Sequence, residues 1–355
     1  MSREQVAELF RRQAEGSLPG SPLYFHLLHR AAEDFVAGGI VATVLAGHEE
    51  DRPGSVLTLR LMGAVHRLVL QRQAPELATY FPSVGGTGAS ERAWPAFERL
   101  LAEYTDTVRG LLGRPVQTND VGRSAPLFGG LLVIQHRTGL PVRLLEVGAS
   151  AGLNLRVEHF AYRLDDGRVL GDPASEVCLG DCWTGVPPAP LSTRLDILER
   201  RGCDPAPIDP LTTEGRLTLT SYVWADWVER LERLRAALAV AARVPAAVDR
   251  AHADEWLAMR LAAPVPGLVT VVWHSVVRQY VEPAERVRAG QVLAAAATRA
   301  SVAAPLAHLS LEPRRQPDGS WRFELWLTMW PGPGDPVRLG SSPGHGIPVE
   351  WADAG

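Results

Sequence analysis

Leu144-Leu145-Glu146-Val147-Gly148-Ala149-Ser150-Ala151-Gly152-Leu153-Asn154 is the stretch on which the fold turns. A short apolar run carries one acid, Glu146, near its end and passes into a turn flanked by Gly148 and Gly152. Leu153, Val157 and Phe160 then follow at i, i+4 and i+7, the spacing of a helix that buries one face. Strand, glycine turn and helix in that order belong to an α/β domain. Glycine permits the tight reversal and leaves the backbone open to a ligand, and the amides of a helix start can face a carboxylate or phosphate.

Working outward, the segments after Pro141 are short apolar runs that lead into turns and helices, the pattern of a parallel sheet covered on both faces. Strands are expected at residues 142–147, 217–224, 246–248, 268–273 and 306–311. Residues 321–329 alternate strictly after the turn signal Pro317-Asp318-Gly319, as an antiparallel strand closing the sheet edge does. The Pro-, Gly- and Asp-rich stretch 162–215 reads as an insertion over the sheet. Upstream, Leu23, Leu27, Ala31 and Leu57, Leu61, Val65, Leu68 recur at helical spacing. Residues 1–140 are therefore expected to form a helical region acting as lid or substrate side, and 141–355 a Rossmann-like, mostly parallel α/β domain with an antiparallel C-terminal strand.

Composition removes several functions. All 36 residues in the Lys+Arg count are arginine, so Schiff-base, pyridoxal-phosphate and Walker-type phosphate chemistry, each of which needs a lysine, is excluded. A net charge of −4 gives no basic footprint for nucleic acid. Three cysteines, Cys178, Cys182 and Cys203, lack the second ligand pair of a structural zinc site and read as reduced thiols, so no metal is expected. No run reaches the ~18 apolar residues of a membrane span and Met1-Ser2-Arg3-Glu4 opens no signal peptide, which points to a cytoplasmic protein with a small-molecule substrate.

The central turn supports two chemistries. Read from Gly148, Gly-Ala-Ser-Ala-Gly matches a nucleophile elbow, with Ser150 attacking and His308 or His345 as base. Read from Glu146, the acid and the two glycines suit a nucleotide-type cofactor. An elbow wants earlier strands upstream, whereas here the upstream third is helical, so the cofactor reading leads. A non-catalytic strand-turn-helix, in a binding or scaffold protein, is the third possibility.

Other polar residues fall where such a site would use them. Ser221-Tyr222-Val223-Trp224-Ala225-Asp226 delivers an acid before a helix, suited either to ribose hydroxyls or, with Glu229, to capping that helix. Asp254 is a second acid, which by itself reads as a helix cap. His274, in Trp273-His274-Ser275-Val276-Val277-Arg278-Gln279-Tyr280, lies at the carboxyl end of the most apolar strand, where open sheets bind ligands. His274 is the candidate base or substrate anchor and Tyr280 the candidate donor. The loop Thr118-Asn119-Asp120-Val121-Gly122-Arg123 precedes the first strand by one helix and can present Asn119 and Arg123 to a substrate.

Taken in order, QTNDVGRS at 117–124, LLEVGASAGLN at 144–154, YVWAD at 222–226 and HSVVRQY at 274–280 resemble a bacterial family known as a domain of unknown function. More remotely, Glu146-Val147-Gly148-Ala149-Ser150-Ala151-Gly152 is similar to motif I of class I Rossmann-like methyltransferases, with Ser150 in place of the middle glycine. That resemblance implies S-adenosylmethionine as cofactor. Glu146, Gly148, Ser150, Gly152, Asn154, Asp226 and Asp254 would hold it, and His274 and Tyr280 would act on the acceptor.

Overall fold

The computed structural model describes residues 2–17, 20–48, 51 and 56–352. It forms two units, Met1–Thr118 with Thr212–Leu234, and Asn119–Leu211 with Arg235–Gly355.

The first unit is helical, with α1 (Arg3–Ser17), α2 (Pro22–Ala37), α3 (Ile40–Leu45), α4 (Leu57–Leu70), α5 (Pro75–Ala78), α6 (Trp94–Glu103) and α7 (Thr105–Leu112). α2 starts with Pro22 behind the capping Ser21, whose hydroxyl accepts from Tyr24 N, and stops at the left-handed Gly38. Phe10, Leu27, Phe35, Leu61, Val65, Phe97, Trp224 and Ala225 share one buried core. Burying such side chains contributes about 1.5–3 kcal/mol each.

Residues 217–224, expected as a strand, are instead the end of a helix and the turn after it. α9 (Thr213–Ser221) begins at Thr212, whose hydroxyl accepts from Gly215 N. The alternating Leu-Thr-Leu-Thr favours a strand locally, but the cap starts a helix and tertiary packing holds it. Gly63 on α4 makes room there, since a Cβ would lie 2.6 Å from the Tyr222 ring.

The second unit is built on nine strands: β1 (Val142–Val147), β5 (Trp183–Thr184), β6 (Ile197–Asp204), β7 (Ala247–Arg250), β8 (Val269–Ser275), β9 (Leu306–Arg315), β10 (Trp321–Trp330), β11 (Val337–Ser342) and β12 (Val349–Trp351). Their order is β5-β12-β11-β10-β9-β8-β1-β6-β7. β7, β6, β1, β8 and β9 run parallel, and β10 pairs antiparallel with β9 through a direct hairpin connection. In chain order the parallel strands read third, second, first, fourth, fifth, the doubly wound arrangement that reverses direction between the first and fourth. The fold is thus a Rossmann-like α/β sheet accompanied by a helical N-terminal region. A separate small sheet holds β2 (Ala161–Arg163), β3 (Val169–Gly171) and β4 (Cys178–Leu179).

The stretch 162–215 is therefore not wholly an insertion, because β6 lies within it and is the neighbour of β1. Its charges concealed it: Arg143 pairs with Glu199 at 2.8 Å and Arg201 with Asp249 at 2.7 Å, so the consecutive charged residues of this strand are satisfied laterally.

Helices cover both faces of the sheet. α8 (Ser124–Thr138) packs on one, where Gly130 faces Leu309 so closely that a Cβ would lie 2.6 Å from its side chain. α11 (Ala253–Arg260) and α12 (Pro283–Ala297) cover the other, with Trp256, Leu257 and Leu293 on Leu145, Val147, Val272 and Leu306. All six residues of β1 are buried, as expected of a strand covered twice.

Candidate functional site

The ends of β1 and β8 meet at the reversal of strand order, where open α/β sheets place their ligands. Register sorts the side chains there by face. Glu146 pairs with Trp273, and Trp273 with Leu309, so these three share the α8 face. Val147, His274 and Ser310 share the opposite one. The sequence-predicted Glu146 and His274 are thus brought to one sheet edge but on opposite faces.

Gly148, Ser150 and Gly152 all have positive φ, at 71°, 53° and 64°. The reversal is tied down by Gly148 N and Ala149 N donating to Cys203 O, and by Ser150 N donating to the Asp204 carboxylate at 3.0 Å. The glycines make room for protein, which corrects the expectation that they open the backbone to a ligand. A Cβ at Gly148 would lie 2.2 Å from Val277 Cγ2, and one at Gly152 2.8 Å from Val248 Cγ2.

The segment after the turn, Leu153–His159, is a kinked 3-10 helix. Its first amide is already used, Leu153 N donating to Asn119 Oδ1 at 2.8 Å. Asn154 is buried and donates through Nδ2 to Asp120 O at 3.1 Å. Asp120 in turn accepts from Gly122 N and holds Nδ1 of His345 at 2.8 Å. Arg123 donates to Gly344 O at 3.0 Å and to Ser275 O at 3.4 Å. Asn119 therefore reaches the residue after the glycine turn, and Arg123 reaches Gly344 and the end of β8.

Glu146 is the electrostatic centre of this face. Burial pushes its carboxyl up to about 8, opposed by the Trp273 indole and the guanidinium charges of Arg123 and Arg156, with Asp204 pushing the same way as burial. Its Oε2 and the Trp273 Nε1 each lack a hydrogen bond, so the indole favours the charge without completing a contact. Asn154 Oδ1 is also buried without a partner. Arg156 is occupied, donating to Gly152 O and to Val244 O at 2.6 Å each.

On the opposite face, His274 Nδ1 donates to Glu312 Oε1 at 2.7 Å, and Val277 N and Arg278 N donate to the same oxygen. His274 Nε2 lies 3.1 Å from His308 Nε2. Burial, and then the charges of His274 and Arg278, hold His308 down to about 3, so its ring is neutral. Tyr280 is exposed on the loop beyond.

Asp226 and Asp254 stand elsewhere. Asp226 belongs to the first unit, where Ser21 Oγ and Leu23 N donate to its two oxygens. It anchors the start of α2 and follows no strand. Asp254, on α11, pairs with Arg288 of α12. The acid that does end the second strand is Asp204, which sequence reasoning missed because β6 read as loop. Glu312, Asp120 and Arg156 were missed as well; the one available signal was polar residues at strand ends and beside the glycine turn.

Among the described residues no group of three or more His, Cys, Asp or Glu side chains is arranged to hold a metal ion. Among them, too, no helix is long and apolar enough to cross a membrane. No curated protein and no solved structure matches the chain. Residues 7–351 match the family described as "Uncharacterized protein conserved in bacteria (DUF2332)", and the chain belongs to that family.

Proposed function

We propose that the second unit is a methyltransferase that takes S-adenosylmethionine at the end of β1 and acts on a small molecule. The observation that carries this reading is the buried Oε2 of Glu146, left without a partner beside a glycine turn at the reversal of strand order. A buried acceptor without a donor costs about 1–3 kcal/mol, and a ligand amine supplies the missing donor. Asn154 Oδ1 offers a second acceptor of the same kind. Asp204, at the end of the neighbouring strand, stands where an acid takes ribose hydroxyls.

The cofactor, when bound, supplies a methyl group activated by its positive sulfur. The chain's own part is then to bind, align and exclude water, which needs no protein nucleophile. Facing a ligand ammonium, Glu146 would release its proton to solvent and accept as a carboxylate. His274, held through Nδ1 by Glu312 and facing His308 through Nε2, is the candidate base or anchor for the acceptor at the same strand ends, with Tyr280 on the loop beyond.

Calorimetry with S-adenosylmethionine and S-adenosylhomocysteine tests this. One site per chain is expected, weakened at least tenfold in Glu146→Gln; no heat at millimolar ligand with folded protein overturns it.

A second reading has its own observation. Asp120 holds His345 by Nδ1, the arrangement that orients a catalytic base, on the loop that also binds the 150–154 turn. Ser150 as a hydrolytic nucleophile would be labelled by a fluorophosphonate, and labelling that Ser150→Ala abolishes would favour it.

A further inference from the structure

His66 lies on α4 in the first unit and is wholly buried, so both ring nitrogens need partners inside the protein. Nδ1 sits 3.2 Å from the carbonyl oxygen of Ser221, and Nε2 sits 2.8 Å from the hydroxyl of Ser83. A carbonyl only accepts, so Nδ1 must carry the proton. Nε2 is then a lone pair, and the hydroxyl of Ser83 must donate to it. The tautomer follows from the partners alone. It is the one in which an imidazole can take a proton from serine, oriented by a third group behind it.

The rest of the surroundings keep this pair in place. Burial holds His66 down to about 4, so the ring is neutral at pH 7. The Phe81 ring packs against the imidazole at 5.6 Å. Ser83 itself is half-buried, on a short 3-10 turn, Pro82–Val84. That turn is clamped by Gly86 N donating to Phe81 O and Gly88 N to Thr79 O. Gly86 admits no side chain, because a Cβ would lie 2.4 Å from Ala78 O. A hydroxyl on a half-buried residue that donates to a fixed imidazole is the geometry of a nucleophile.

We propose that Ser83 and His66 form a nucleophile–base dyad in the first unit that acts on carboxylic esters with good leaving groups. Ser83 Oγ attacks the ester carbonyl as its proton passes to His66 Nε2, and the C–O bond to the leaving alcohol breaks as that alcohol takes the proton. Water then attacks the acyl-serine and gives its proton to Nε2; the acid departs and the proton returns to Ser83. Backbone groups of Ser221 and Val223 act on His66 in place of a carboxylate, and because the activated ester has a far better leaving group than the acyl-serine, the first step outruns the second and the acyl-serine accumulates.

The test is p-nitrophenyl acetate and a fluorophosphonate probe on the full chain, with intact mass and peptide mapping. The expected result is a burst of about one equivalent of p-nitrophenol, then slow turnover, with the added mass on the peptide containing Ser83. Ser83→Ala abolishes both and keeps the wild-type melting temperature within a few degrees. Ser150→Ala keeps both. No label on Ser83 in folded wild-type protein overturns the dyad. Label on Ser150 alone overturns it equally, while promoting the hydrolytic reading of the second unit. Neither result bears on S-adenosylmethionine binding, so the two proposals fail separately.

Discussion

Asp226 and Glu146 look alike in the sequence, each an acid placed where an apolar run gives way to a helix. Their surroundings differ. Both oxygens of Asp226 accept from the start of α2, and Ser21, which donates to it, also caps that helix. Glu146 is buried with one oxygen unpartnered. The first acid is spent on architecture and the second keeps a donor-shaped vacancy in its hydrogen bonding. An acid satisfied from within explains a fold, and Glu146, left short at the reversal of strand order, is the one to which the proposed ligand is assigned.

The comparison breaks first at Gly148. Gly148→Ala forces a Cβ against Val277 in a left-handed conformation and should destabilise the protein by about 3 kcal/mol, from overpacking together with backbone strain. Urea denaturation checks it, and Val277→Ala in the same chain should restore part of the loss. If Gly148→Ala keeps full stability, the glycine serves a ligand and not Val277.

Glu146 yields the next effect, and its sign is opposite to that of a salt-bridged acid. With its carboxyl raised from 4.5 to about 8, the folded protein binds a proton that the unfolded chain releases. The stabilising neutral form is fully present below pH 4.5, and stability falls as pH rises through 8, by at most about 1.4 kcal/mol per pH unit. Glu146→Gln should flatten that fall in urea midpoints at pH 5, 6.5 and 8. An unchanged slope would place the acid elsewhere than in a dry site.

Asp226→Asn should cost roughly 1–2 kcal/mol, the loss of charged acceptors to a helix start, and leave S-adenosylmethionine binding unaltered. A weakened ligand with intact stability would reverse the assignment of the two acids. Least of all, Tyr280→Phe should change stability by under about 0.5 kcal/mol, because the ring is exposed. Any loss of rate in that variant is therefore attributable to the acceptor side.

What could be read in advance followed from whether each segment's burial shows in its own residues. β1, β8, β9 and the alternating β10 carry their apolar faces openly, and each lies where the pattern put it, within a few residues at the ends. β6 does not, because Glu199, Arg200 and Arg201 are neutralised by Arg143, Glu158 and Asp249 from other segments. Pairing across 40 to 60 residues is invisible to a local window. The same blindness exchanged Asp204 for Asp226. In the other direction, Leu217-Thr218-Leu219-Thr220 favours a strand locally, yet the Thr212 cap and the contacts of α9 with α4 make it helix. Asn119 lies against Leu153, just past the glycine turn, as a loop one helix away from β1 can, whereas Arg123 reaches Gly344 and the end of β8. That His274 faces away from Glu146 is a matter of strand register, which no motif spacing encodes.

The first unit's core contains Trp224 and Ala225 although most of that core is complete in sequence by Leu112. Synthesis from the N-terminus therefore delivers α1 through α7 without their last pieces. On a bacterial ribosome, roughly a hundred further residues take about 5–20 s to appear. During that interval the nascent helices expose the apolar surface that Trp224 will later cover, and a chaperone has its natural opportunity there. A gene cut after residue 118 would make that interval permanent, whereas a fusion of 1–118 to 212–234 through a flexible linker carries every residue of that core.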